Sequence, residues 1–141
     1  MASILPAGPP QTYLGVAKSL RPAIHTLLEN RACWGVPISI LIAHALECLL
    51  KAYLSRDGND SRVRGRAVQH DLQELWRMAA SGGLDVDKDP PDWVSKLGNL
   101  HQYPYRLRYS TDVHGIVTPS PKVMVEELES VFEVVRATLG G

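Results

Sequence analysis

The densest apolar run in the chain is Pro37 to Ser55, PISILIAHALECLLKAYLS. Wound at 3.6 residues per turn it is apolar on most faces, which marks either a buried core helix or a membrane span. Only His44, Glu47, Lys51 and Ser55 form a polar line, spacings of three and four putting them on one narrow face. Glu and Lys at mid-span are expensive in lipid. The pattern therefore predicts the central helix of a soluble bundle, with no membrane partner. Pro37 suits a first turn, where its missing N–H has no partner to lose. Glu47 and Lys51 stand at i,i+4 in the favourable order, a small stabilising pair.

Helical periodicity continues on both sides. Tyr13, Leu14, Val16, Ala17, Leu20, Ile24, Leu27 and Leu28 predict a helix over Gln11 to Arg31, with Pro22 kinking or splitting it near Leu20. Arg56 to Gln69 reads as a loop. Asp71 followed by Glu74 resembles a capping box ahead of a short helix with Leu72, Leu75, Trp76 and Ala79 inward, closed by Gly82 and Gly83. On this reading His70 orders the start of that helix. Trp93, Leu97 and Leu100 predict another helix after Pro90-Pro91, ending before Pro104. Ser120-Pro121 reads as an N-cap and first-turn proline. The helix that follows turns Met124, Leu128, Val131, Phe132, Val135 and Leu139 inward and Glu126, Glu127, Glu129 and Glu133 to water. No strand alternation and no internal repeat is present. The expected fold is all-α: a single up-and-down bundle of about five helices over residues 11–141, behind a flexible Pro/Gly-rich lead-in over 1–10.

Composition adds limits. The chain has 141 residues, 45% of them hydrophobic and 21% charged, enough for one domain with its own core. Its formal net charge is zero, so no overall field steers it to nucleic acid or membrane; any such surface must arise by local segregation. Cys33 and Cys48 lie among apolar residues without ligand spacing, which predicts reduced side chains in a cytoplasmic protein. The first ten residues lack the basic and apolar regions of a secretion signal. The five histidines form no ligand-spaced set with Cys, Asp or Glu, and no phosphate loop or nucleophile elbow occurs, so no metal and no cofactor are expected.

Two segments carry candidate chemistry. Arg62, Arg64 and Arg66 sit in the loop after the central helix; they are either solvated or a basic arm for phosphate. In HQYPYRLRYSTDVHG, residues 101–115, Tyr103, Tyr105 and Tyr109 alternate with Arg106 and Arg108. Arg offers a planar cationic fork to phosphate and Tyr a π-face to a base, which suits RNA or nucleotide. The plain alternative is that both residue types pack as amphipathic filler.

Taken in order, AHALECLLKAYL, HDLQEL, a helix leading into YRLRY, and a closing amphipathic helix resemble the HEPN superfamily (higher eukaryotes and prokaryotes nucleotide-binding) over about Pro37 to Leu139. The resemblance implies a helical bundle, often a homodimer. Many members are metal-independent ribonucleases with an Arg, four to six residues, then His before the last helix. Arg108, YSTDV and His114 fit that spacing. In that reading Arg108 holds the scissile phosphate and His114 moves a proton between the 2′-hydroxyl and the leaving 5′-oxygen. Three functions stay open: a HEPN-like module binding RNA or nucleotide without catalysis; an endoribonuclease of toxin or defence type, with an antitoxin or other protein partner; and a protein–protein adaptor.

Overall fold

A computed structural model describes residues 3, 8–65, 68–108 and 115–140. It is an all-α bundle of six helices, with no strand among the described residues. The helices are α1 (Gln11–Leu28), α2 (Val36–Leu54), α3 (Ser61–Arg64), α4 (Leu72–Ser81), α5 (Asp92–His101) and α6 (Pro121–Leu139). A short 3-10 turn over Arg31–Cys33 joins α1 to α2. The two elements beyond the sequence expectation, α3 and this turn, are each only one turn long, too short for a periodic apolar signal. Most of the predicted lead-in lies outside the described residues.

α2 is the hub. It packs against α1, α6, α4 and α5, and Ile38, Ile42, Leu46, Leu49 and Leu50 are inaccessible to solvent. Its length and apolarity alone would let it cross a membrane, but its apolar faces are taken up by the other helices. Gly35 precedes it at φ 86°, a left-handed turn that a side chain would oppose, and Pro37 sits in its first turn. Apolar burial on this scale, about 25 cal/mol per Å², is the main term holding the bundle together.

α1 runs unbroken through Pro22, so the chain does not split there. Leu14 and Ala17 on one side of Pro22 and Ile24 on the other are buried in the common core. That packing on both sides outweighs one missing backbone hydrogen bond. Cys33 and Cys48 are free thiols, the first half-buried and the second buried. Burial, with Glu47 beside it, raises the Cys48 thiol to about 11, so it packs as a small apolar group.

Three helix ends follow the sequence closely. Asp71 caps α4, its Oδ1 accepting from the Glu74 N–H at 3.1 Å. α5 starts after Pro91 and ends at His101, short of Pro104. α6 begins at Pro121 behind Ser120, although the Ser120 hydroxyl makes no capping bond. Of the predicted acidic face on α6, Glu126, Glu127 and Glu133 are exposed, while Glu129 turns to α1 and pairs with Arg21.

Candidate functional site

The polar line on α2 does not face water. Glu47 is 4% exposed and Ser55 fully buried. Residues 44, 47 and 51 share one helix face, and two other segments close over it. α5 buries Val94, Leu97, Gly98 and His101, positions three and four apart, so His101 belongs to its inward face. The second segment precedes α4. There the Val68 and Gln69 N–H groups both donate to the Gly65 carbonyl, Val68 is buried, and His70 follows.

The result is a cluster around one carboxylate. His101 Nε2 donates to Glu47 Oε1 at 2.7 Å and His70 Nδ1 donates to the same oxygen at 2.9 Å. Lys51 Nζ holds Oε2 at 2.6 Å. Burial pushes the Glu47 carboxyl up, but the His101, Lys51 and His70 hydrogen bonds and the Lys51 charge overcome it and hold the group well below the usual carboxylate range. Beside it, burial lowers His44 against a smaller opposing pull from Glu47. The His44 Nδ1 is buried without a hydrogen-bond partner among the described residues.

Aromatic rings connect this cluster to the surface. His70 stands edge-on to His101, centroids 5.1 Å apart at 80°, and edge-on to Tyr105 at 5.7 Å and 90°. Tyr105 is in turn edge-on to Tyr103 at 5.7 Å and 86°. Such T-shaped pairs are favourable ring geometry. The series runs from buried His101 to Tyr103, which is 80% exposed. His70 (φ 61°) and Tyr105 (φ 59°) both occupy the left-handed region, uncommon for residues with a side chain. Two such residues in one ring series mark a locally strained site held in shape by its surroundings.

The segment after α5 is moored by its backbone and by one side chain. The Tyr105 N–H donates to the Gln102 carbonyl at 2.7 Å and the Leu107 N–H to the Leu100 carbonyl at 3.2 Å. Leu107 is buried in the core. On the outside this leaves Tyr103 and Arg108 exposed, with Tyr105 and Arg106 half-buried. Arg108 is close enough to His44 to disfavour its protonation.

Of the predicted site residues, the fold gathers Tyr103, Tyr105, Arg106 and Arg108 into one segment over the Glu47 cluster. It does not add Arg62 or Arg64. Arg62 donates to the Leu54 carbonyl at the C-terminus of α2, which occupies it as a cap. Arg64 stands 3.8 Å from Asp60, largely exposed. Tyr109, His114 and Arg66 lie outside the described residues.

Sequence reading missed the convergence itself. Glu47, His70 and His101 bring three ligand-type atoms within 4.8 Å of one another, correcting the expectation that the histidines form no set with Asp or Glu. Their separations along the chain, 23 residues from Glu47 to His70 and 54 to His101, match no local ligand motif. One signal was available: His101 falls four residues after Leu97, on the apolar face of its helix. A buried histidine needs a partner.

No family model, no curated protein and no solved structure matches this all-α chain.

Proposed function

We propose that this chain is a HEPN-like helical domain that binds single-stranded RNA or nucleotide through residues 103–108, as a homodimer in the cytoplasm. The observation that carries the reading is Tyr103. A large aromatic ring left 80% exposed, edge-on to Tyr105 and within a few residues of exposed Arg108, supplies a stacking face and a phosphate donor together. Neither residue stabilises the bundle core. The order of helices and the segment's place between the fifth helix and the closing one support the family resemblance.

The test is fluorescence anisotropy of a labelled single-stranded RNA with the intact protein at low and high salt. Binding weakens as salt rises, because phosphate contacts release counterions. Tyr103→Ala lowers affinity by about 5- to 150-fold, the range for loss of one base–aromatic stack. Equal affinity of Tyr103→Ala and the parent would refute the assignment. The same RNA, recovered after incubation, separates binding from cleavage. Under this reading it stays intact, whereas chelator-resistant cleavage abolished in His114→Ala would establish the nuclease with Arg108 and His114 as its pair.

A further inference from the structure

Beneath that surface, Glu47, His70 and His101 meet in a way the RNA-binding reading does not require. We infer that these three side chains form a binding site for a divalent transition-metal ion of the zinc class, with Glu47 Oε1, His70 Nδ1 and His101 Nε2 as ligands. The site clips α2, the turn before α4 and the end of α5 together.

Four observations carry it. First, the donor set is two imidazole nitrogens and one carboxylate oxygen, which suits zinc and its neighbours and not hard, oxygen-seeking magnesium or calcium. Second, both imidazoles aim at the same carboxylate oxygen, at 2.7 and 2.9 Å, and all three donors lie within 4.8 Å of one another. Donors about 2.0–2.1 Å from a shared tetrahedral zinc are roughly 3.3–3.5 Å apart. Reaching that spacing moves Glu47 Oε1 outward by about half an ångström and draws the two imidazole nitrogens, no more than 4.8 Å apart, toward each other.

Third, the ligands are already oriented from outside. Lys51 holds Glu47 through its other oxygen, Oε2, leaving Oε1 for the ion; ligating carboxylates are commonly hydrogen-bonded in this way. Tyr105 packs its ring edge-to-face with His70, and His70 keeps a left-handed backbone at φ 61° that aims its ring inward. Fourth, Glu47 and His101 are buried while His70 is half-buried, so the ion enters, and a water completes its shell, on the His70 side. His44, one turn before Glu47 on α2, has a buried Nδ1 without a hydrogen-bond partner among the described residues.

The ion takes the place of the two imidazole–carboxylate hydrogen bonds. Each imidazole gives up the N–H proton it directs at Glu47 and binds through the freed lone pair, and the carboxylate is already ionised. Any proton not retained on the second ring nitrogen leaves to solvent. No redox step is involved. The inference is independent of RNA binding, and its test contains no nucleic acid.

The full-length protein is stripped with a chelator and titrated with Zn²⁺ against a chromophoric competitor, and separately with Co²⁺ while the visible spectrum is recorded. The expected result is one ion per chain, undisturbed by excess Mg²⁺. Bound Co²⁺ should show the intense visible bands of a four- or five-coordinate site, and zinc should raise the melting temperature. His70→Ala and Glu47→Gln each weaken zinc binding by at least the 10- to 100-fold that loss of a supporting partner alone produces. Three results would overturn the site: no zinc retained, a Co²⁺ spectrum identical to the aqueous ion, or unchanged affinity in both variants. The Co²⁺ spectrum is read on the parent protein, so the proposal remains open to refutation even if a variant does not fold.

Discussion

Among the described residues, the Glu129 and Glu47 carboxylates each gather partners from distant parts of the chain, and they differ mainly in exposure to water. On the outside, Arg21 of α1 pairs with Glu129 of α6, with His25 at 3.5 Å from the same carboxylate. The Arg21 side chain is 47% exposed. On the inside, Glu47 gathers buried His101 and the partly exposed Lys51 and His70, its own side chain 5% exposed. Both carboxylates are held below their usual range: Glu129 chiefly by the Arg21 hydrogen bond, Glu47 by partners that must first overcome the penalty of burial. The comparison shows that similar pairing has unlike consequences. A solvated pair can be broken and rehydrated, whereas a buried one leaves its partners stranded.

The sharpest test of that contrast is removal of each carboxylate. Glu47→Ala leaves the buried His101 donor and the largely covered Lys51 ammonium without their acceptor and should destabilise the fold by about 3–5 kcal/mol, as breaking a buried pair does. Urea titrations followed by circular dichroism measure it. A loss below about 1 kcal/mol would show that water reaches the cluster and that the inside and outside pairs are equivalent.

Leu107 ranks next. It moors the Tyr–Arg segment to the core, so Leu107→Ala should lose about 2–3 kcal/mol, near the lower end of the leucine range because the cavity lies close to the surface. It should also weaken the proposed RNA binding, by freeing Tyr103 and Arg108 from a fixed geometry. Retained affinity in a destabilised Leu107→Ala would uncouple the mooring from the surface it holds.

Acid should distinguish the two regions as well. Glu47 has a folded-state pKa below its unfolded value of about 4.3. As pH falls through the unfolded value, the unfolded chain takes up a proton that the native state refuses. The stabilisation present at neutral pH is therefore lost progressively below about pH 4. His44 is lowered too, so its neutral form is favoured in the fold, and its contribution also falls as pH drops through the ordinary histidine range. Stability measured from pH 7 to pH 3 should fall more steeply in the parent than in Glu47→Gln. Parallel curves would remove Glu47 as the acid-sensitive group.

The fold was readable because its strongest signals are local. The Pro37–Ser55 run, the Asp71 cap, the prolines before α5 and at the start of α6, and the inward residues of α6 each act within one or two turns. The site was not readable, because its partners meet only once α2, α4 and α5 have packed. The line His44, Glu47, Lys51 was visible in the sequence, but which face it served was not: a narrow polar stripe on an apolar helix reads the same whether it meets water or buried histidines. The split allowed for at Pro22 fails for a related reason. The proline's local penalty is plain in the sequence, and the packing on both sides that outweighs it is not.

The smallest effect expected is at the outer pair. Glu129→Ala removes the acceptor for Arg21 and His25, both close to half-exposed. Released, each regains water at little expense, and Arg21 keeps its stem against α6, with its guanidinium carbon 5.9 Å from the Phe132 ring. The change in stability should be no more than about 1 kcal/mol and should shrink further in high salt, which screens exposed charges. A double-mutant cycle with Arg21→Ala isolates the pair. A coupling near that of a buried bridge, unmoved by salt, would mean that α1 and α6 exclude water at their seam, and that burial, as drawn here, does not separate the two regions.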